Sequence, residues 1–522
     1  MAKAEESISR MSTRNLSSLL LGKLFTTALT GLIFIINARL LGPVDYGLYT
    51  LAVAFSTMMD GFTHFGIGSY FNKHLSEANY SKDYGKMSKV ISNGYTVIIP
   101  IAFSLTLLSL GLSGFAVNNF LSGSGIKVSS LMLASLTIFF SVISGAAYSG
   151  LIGLGKGWKA SLAYISQYAV QLLLSVVLIE AGFGVNGALT GLLAGYVTAF
   201  IIALAYMYKA VGFGIRTRFT LPALREIKST VAFSLPVAAN NFIGSGIPSF
   251  ATFVLGIFAT TYVVGNYGAA YKLMVLMLVV AGTISAVLVP TFSMALVKNK
   301  DKKYMHRVYN KALLFSLAAS LPIMAYVGVF SQPLTELIIT KSYLNAPFYV
   351  VLMSLGVAIN LIATFSGNFF LANGKVNKIF KYNLISGIFQ ALGLVVLVPR
   401  YGVLGLIVAL YYVGPLISSG LFVYNLRRIV GISLDLPMTF KLYLVSMLLA
   451  AISYPVLGLG NRIAELVVGG ALFILVYPAV LAALGILNKE LIEELRHATH
   501  GIPFSGVAMI YLSTYSLLFS HK

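Results

Sequence analysis

The chain has 522 residues, of which 58% are hydrophobic and only 10% are charged, with a formal net charge of +21. Few soluble domains could bury that much apolar surface, so this composition excludes a soluble multidomain protein and predicts a polytopic membrane protein. No cysteine is present, which excludes disulfides and cysteine-based metal or nucleophilic sites. The basic residues fall mostly in alternate connecting segments, a pattern that predicts cytoplasmic termini rather than a nucleic-acid partner.

Apolar segments long enough to span a bilayer predict about 14 transmembrane helices. A polar cytosolic segment, residues 1–15, precedes them. The approximate bounds of the helices are 16–41, 47–72, 87–112, 128–152, 159–181, 186–209, 230–258, 264–297, 308–332, 345–372, 377–398, 402–426, 441–459 and 463–486.

The connecting segments predict a division into two lobes. The N-lobe, residues 16–212, holds six helices, and the C-lobe, residues 230–428, holds the next six. A basic cytosolic connector, residues 213–229, separates the lobes, and two extra helices occupy residues 441–486. The C-terminal tail, residues 487–522, contains an apolar run at 503–519 that is at the lower length limit for a span, so its placement stays open.

An internal repeat relates the two predicted lobes. Gly47-x-Tyr49 and Gly265-x-Tyr267 lie 218 residues apart, and Gly184-Val185-Asn186-Gly187 matches Gly402-Val403-Leu404-Gly405 at the same offset. Gly155-Lys156 matches Gly374-Lys375 at 219. Because six helices is an even number, the two lobes have the same orientation in the membrane. This predicts a pseudo-two-fold axis along the membrane normal. It also predicts a substrate site between the lobes, which would open alternately to each side of the membrane.

The break that runs from Ala38 to Tyr49, with Gly42-Pro43 at its centre, resembles the signature after the first helix of the polysaccharide exporters. These form a branch of the multidrug/oligosaccharidyl-lipid/polysaccharide exporter superfamily. Gly265 to Ala270 resembles the matching signature in their second half. Many relatives carry an aspartate in the seventh helix, where this chain has Ala251.

The resemblance implies an all-α flippase, similar to O-antigen flippases. It would carry a polyprenyl-(di)phosphate-linked oligosaccharide across the cytoplasmic membrane by alternating access, for surface polysaccharide or glycan assembly. Such a protein is not an enzyme and needs no cofactor, although a gradient of H⁺ or Na⁺ could drive it. Its partners would be the lipid-linked oligosaccharide, membrane lipids and, by the same resemblance, glycan polymerases or ligases.

Cations at membrane depth are costly and are therefore functional candidates. Lys23 lies in the first predicted helix and Lys272 in the eighth; each could bind a diphosphate between the lobes or extend to the nearer membrane surface. Arg39, at the end of the first helix, could steer phosphate or pair with Asp45. We predict Lys23, Arg39 and Lys272 as substrate-binding residues.

Uncharged polar residues supply further candidates. We predict that Asn240 and Asn241 contact the substrate. The uncharged candidates for binding sugar hydroxyls are Asn240, Asn241, Asn360, Asn368, Gln167 and Gln171. Hydrogen bonding between helices is the commoner use of such residues in membranes. The 30 tyrosines cannot be ranked from sequence alone.

Asp60 is the carboxylate nearest the middle of a predicted span, and His64 follows one turn later on the same face. We predict this pair as the coupling site for a driving ion. The alternative is a carboxylate satisfied by His64 and neighbouring hydroxyls.

A cation-coupled multidrug exporter of the same superfamily is the alternative function. It would bind cationic compounds through acidic residues, so the charge of the cavity discriminates between the two functions. Gly150 to Lys156 begins like an ATP-binding loop, but Gly157 replaces the required Ser or Thr and no strand precedes it, so the sequence does not predict an ATPase.

Overall fold

The computed structural model describes residues 2–61, 66–211, 224–298 and 301–483. Within these ranges the chain is helical and contains no β-strand. The helices are α1 (Ala2–Asp60), α2 (Ile67–Tyr80), α3 (Tyr84–Asn119), α4 (Val128–Gly153), α5 (Gly157–Leu178), α6 (Gly184–Val211), α7 (Leu224–Asn241), α8 (Ile247–Phe258), α9 (Thr261–Lys298), α10 (Lys302–Val329), α11 (Ser331–Ile338), α12 (Ala346–Ala372), α13 (Val376–Ile407), α14 (Gly414–Asn425), α15 (Leu436–Ser453) and α16 (Arg462–Ala483).

Short irregular turns join several of these helices. Two are 3₁₀ turns, at Ser122–Ser124 and Tyr454–Gly458. Four are π-helical turns, which occur at Ile179–Phe183, Phe242–Gly246, Val408–Val413 and Leu426–Val430. The π turn at Phe242–Gly246 interrupts the helix predicted at 230–258, so α7 and α8 form that span together.

Ten helical stretches in the described part of the chain are long and apolar enough to cross a membrane. Three of them contain a glycine with non-helical backbone angles, at Gly42, Gly182 and Gly402, so each of the three comprises two predicted helices. Helix α9 occupies the place of the eighth predicted helix. The structure therefore confirms the polytopic all-α fold with 14 predicted helices.

The prediction of one continuous helix over residues 47–72 was wrong. Helix α1 ends at Asp60, and α2 begins at Ile67 after Gly66, whose φ is 62°. A Cβ on Gly66 would lie 2.6 Å from the carbonyl oxygen of Ser234 in α7. The close approach of α7 and the left-handed conformation both require glycine there, and hydropathy alone cannot reveal this break.

The predicted repeat is visible in the backbone. Gly184 (φ 50°, ψ −128°) and Gly402 (φ 54°, ψ −129°) share an unusual conformation at matched positions. Gly155 and Gly374 both have φ 69°. Each is followed by a lysine whose N–H donates back to a helix carbonyl, at 2.8 Å from Lys156 and 2.9 Å from Lys375. These helix ends follow the same capping geometry.

Contacts divide the chain into two compact units. The first contains the chain up to Lys272, Ile339–Ala346 and Phe380–Gly414; the second contains Leu273–Ile338, Pro347–Ile379 and the chain from Pro415 onward. The predicted lobes and the connector at 213–229 remain predictions. The tail at 487–522, with the apolar run at 503–519, lies outside the described residues.

Within the first unit, the two signature glycines contact each other's segment reciprocally. A Cβ on Gly47 would collide with the carbonyl oxygen of Thr261 and lie 3.0 Å from Gly265 N. A Cβ on Gly265 would collide with the carbonyl oxygen of Pro43 and lie 3.1 Å from Gly47 N. Pro43 and Thr261 are themselves 218 residues apart, so the contact has the reciprocity of a two-fold axis.

In the first unit, hydrogen bonds of Tyr343 and Asn266 fix the position of the segment that precedes α12. The Tyr343 hydroxyl donates to the carbonyl oxygen of Ala38 at 2.8 Å, close to the break at Gly42. The Asn266 side-chain oxygen accepts from Asn345 N and Ala346 N, each at 3.0 Å. Asn266 therefore caps N–H groups that the start of α12 would otherwise leave without partners.

In the second unit, an ion-pair cluster connects α11 to α16. The Arg462 guanidinium donates to Glu336 at 2.9 and 3.1 Å, and to Glu465 at 2.9 and 3.2 Å. The Glu465 side chain is fully buried. The cluster thus holds a buried carboxylate that the neighbouring guanidinium compensates.

Candidate functional site

The two predicted deep cations, Lys23 on α1 and Lys272 on α9, both have exposed side chains. Neither ammonium forms a hydrogen bond or an ion pair within the described part of the chain. The backbone of α1 beside Lys23 packs tightly on α5, where Gly22 contacts Ser161. A cation in a spanning segment without an internal partner can bind an anion from outside the protein.

The other predicted substrate-binding residues differ in their surroundings. Arg39 is exposed and lies three residues before Gly42, the break in α1. The Asn240 side-chain oxygen accepts from the Asn383 amide at 3.2 Å, which joins α7 to α13. Asn241 is exposed at the start of the π turn. The contact of Asn240 is the helix-to-helix use that such residues commonly have.

Asp60, the predicted coupling residue, is half-buried at the end of α1. Its carboxylate accepts a hydrogen bond from the Ser141 hydroxyl of α4 at 3.3 Å. The Asp60 carboxylate also lies close enough to Tyr196 on α6 for the two side chains to interact electrostatically. His64, its predicted partner, lies outside the described residues. The neighbours Ser141 and Tyr196 were not selected from sequence, because no fixed spacing links them to Asp60.

Tyrosines from α4, α5 and α6 lie close together near Asp60 in the first unit. The Tyr148 hydroxyl donates to the Gln167 side-chain oxygen at 3.0 Å. The rings of Tyr148 and Tyr164 lie 3.7 Å apart at 30°. Tyr196 lies near Tyr164 and Tyr168. Helices α4, α5 and α6 therefore all contribute to this group of rings.

Asn37 and Tyr49, both on α1, extend this polar region. The Asn37 amide is 1% exposed, and neither its nitrogen nor its oxygen forms a hydrogen bond in the described chain. The Tyr49 hydroxyl lies next to Asn37 and Gln171. A buried amide without partners costs stability, so a polar ligand group that reached Asn37 beside Tyr49 would relieve that cost.

The second unit holds an apolar cavity of about 510 Å³ between α10, α12 and α15. Leu321, Met324, Leu355, Met447 and Ala450 are among its lining residues. It includes no charged side chain, so it does not match a charged or highly hydroxylated ligand.

The sequence matches the family described as "Polysaccharide biosynthesis protein" over residues 12–296. It is 22% identical to capsular polysaccharide biosynthesis protein CapF of Staphylococcus aureus over 405 residues, which covers 75% of this chain and 93% of that protein. It is 21% identical to the probable low-salt glycan biosynthesis flippase Agl15 of Haloferax volcanii, over 76% of this chain and 79% of that protein.

Two solved structures share the fold. The lipid II flippase MurJ, in an inward closed conformation, superposes with a TM-score of 0.72 and 16% identity, covering 90% of this chain and 99% of MurJ. An inward-facing MATE multidrug transporter of the MOP superfamily superposes with a TM-score of 0.65 and 15% identity, over 78% of this chain and 94% of that transporter. The predicted fold class is confirmed.

Proposed function

The chain belongs to the polysaccharide biosynthesis protein family, and on that basis we propose that it is a flippase for polyprenyl-(di)phosphate-linked oligosaccharides. The observation that carries the proposal is the family match over residues 12–296, joined to a fold shared with MurJ over 90% of the chain. The glycan and phosphate would cross between protein surfaces while the polyprenyl tail stays in lipid. This route avoids placing polar groups in hydrocarbon, which is prohibitively costly.

We place the protein in the cytoplasmic membrane with both termini in the cytoplasm, on the basis of its basic connecting segments. An H⁺ or Na⁺ gradient would drive alternating access, and polymerases or ligases would use the exported glycan.

Orientation is testable by adding cysteines to this cysteine-free chain at Ser7 and Ser124 and labelling intact cells. We expect labelling at Ser124 alone.

A multidrug exporter is the second candidate, and the fold shared with a MATE transporter supports it. The charges at the candidate site favour the flippase, because Lys23 and Lys272 are exposed cations without partners in the described chain. Cations there attract an anionic diphosphate and repel cationic compounds.

The proposed function is tested by deleting the gene and analysing surface glycans and lipid-linked precursors. We expect loss of a surface glycan, accumulation of its lipid-linked precursor on the cytoplasmic face, and recovery of both on complementation. Unchanged glycans together with increased sensitivity to cationic drugs would instead support the exporter.

The two deep cations give a prediction about transport. Replacing Lys23 or Lys272 with Gln should lower glycan export by about tenfold or more, since a contact to a charged group contributes about 1.5–3 kcal/mol. Arg at either position should rescue in part, because it keeps the charge. Export in the complemented strain measures the effect, with protein level monitored in parallel.

Lys127→Gln is the matched control, because Lys127 is an exposed cation that precedes α4 outside the spans. It should leave export unchanged. Full export in both Lys23→Gln and Lys272→Gln would assign these lysines to contacts with lipid headgroups.

Asp60 gives a separate prediction about coupling. If its carboxylate binds the driving ion, Asp60→Asn should abolish the dependence of transport on the gradient while the protein inserts normally. Transport of a fluorescent lipid-linked sugar into proteoliposomes, with and without an imposed gradient, measures this. Glu180→Gln, an exposed acid beyond α5, is the control. Retained gradient dependence in Asp60→Asn would assign Asp60 a structural role.

A further inference from the structure

We propose that the tyrosine cluster of the first unit, formed by Asn37, Tyr49, Asp60, Tyr164, Gln171 and Tyr196, binds a sugar ring of the translocated head group. This inference rests on the proposed flippase function and names the part of the substrate that the cluster recognises. The cluster is distinct from the cationic candidates Lys23 and Lys272, which would serve the phosphates.

The composition of the cluster matches a carbohydrate better than the other parts of the substrate. It contains no Lys or Arg, so it offers no charge to compensate a diphosphate. Its amides, phenols and carboxylate make it unsuitable for a polyprenyl chain. With a single carboxylate, it also lacks the several anionic ligands that a divalent cation prefers.

The geometry supplies both kinds of contact that a sugar needs. The half-buried rings of Tyr49, Tyr164 and Tyr196 present apolar faces with a polar hydroxyl at one end. Beside Tyr49, the buried Asn37 amide has a nitrogen and an oxygen that form no hydrogen bond in the described chain, a donor and an acceptor for a sugar hydroxyl that enters next to Tyr49. A site that hydrogen-bonds hydroxyls in this way discriminates strongly against a ligand that lacks them.

The repeat counterpart of Tyr49 is more deeply buried than Tyr49 itself. Tyr267, 218 residues later, is 1% exposed and its hydroxyl has no hydrogen-bond partner in the described chain. Tyr49 keeps an accessible surface. In both repeats the tyrosine follows the signature glycine by two residues, so it lies on the helix face away from the contact between Gly47 and Gly265.

The experiment compares binding of synthetic short-chain polyprenyl diphosphates to the purified full-length protein in detergent. One probe is bare, and the others carry a single hexose or N-acetylhexosamine. We expect at least one glycosylated probe to bind the unmodified protein about tenfold more tightly than the bare diphosphate. Tyr49→Phe and Tyr196→Phe should each reduce this ratio about three- to tenfold, the effect of one lost hydrogen bond, with affinity for the bare probe unchanged.

Tyr267→Phe is the matched control and should keep the ratio. The inference is overturned if no sugar improves binding over the bare diphosphate, if the cluster variants retain the ratio, or if they weaken all probes equally, as a structural role would. In those cases binding of the bare diphosphate leaves the flippase proposal standing. If neither bare nor glycosylated probes bind, the flippase proposal fails as well.

Discussion

Replacing Gly47 with alanine is expected to prevent correct packing of the first unit. The added methyl group would collide with the Thr261 carbonyl oxygen and lie 2.8 Å from the Thr261 carbonyl carbon. Both obstacles are backbone atoms, which cannot turn aside as a flexible side chain can. We expect a loss of about 3 kcal/mol, the upper end of overpacking costs, measured as loss of monodisperse protein on size-exclusion chromatography and a lower melting temperature.

Gly111→Ala provides the matched control in α3. A Cβ at Gly111 meets no atom within 4 Å, and alanine favours a helix over glycine by about 1 kcal/mol, so this variant should be as stable as the unmodified protein or more so. Gly265→Ala should resemble Gly47→Ala, because its methyl group would meet Pro43 in the reciprocal contact. Equal stability of Gly47→Ala and Gly111→Ala would contradict the contact.

The signature and the repeat were predictable because they depend on local chemistry. Glycines at Gly42, Gly184 and Gly402 mark backbone conformations that other residues rarely adopt, and the structure shows positive φ at all three. The left-handed break at Gly66 was missed, because it depends on the approach of α7. Hydropathy reports burial in lipid, and it carries no information on which helix lies alongside.

The candidate site was predictable only where charge singled a residue out. Lys23, Lys272 and Asp60 were selected because ionised groups are rare in apolar segments. The tyrosines beside Asp60 were not selected from sequence, because they are a few among 30. Their convergence depends on how α1, α4, α5 and α6 pack. Asn37 was missed for the same reason: its lack of a partner is a property of the packed state, and nothing in its sequence neighbourhood signals it.

The second large effect is expected at Arg462. Arg462→Met removes the cation that compensates Glu465, whose side chain is fully buried, and Glu336, whose side chain is 14% exposed. Breaking a buried pair by removing one partner costs about 3–5 kcal/mol, because the remaining charge stays buried. Since the Arg462 side chain is 32% exposed, water screens the pair in part, and we expect the lower end of this range. We expect Arg462→Met to lower the melting temperature sharply and to expose α16 to limited proteolysis, since the cluster connects α16 to α11.

A second substitution tests whether this loss of stability comes from the uncompensated charge or from lost packing. If the penalty comes from the uncompensated Glu465 carboxylate, Glu465→Gln should restore much of the stability when combined with Arg462→Met, although it destabilises the otherwise unmodified protein. Arg400→Met is the matched control, because Arg400 is exposed and forms no ion pair in the described chain; it should change stability by less than about 0.5 kcal/mol. Additive losses in the Arg462→Met, Glu465→Gln double variant would show that the two side chains act independently, and the uncompensated Glu465 carboxylate would then not be the source of the cost.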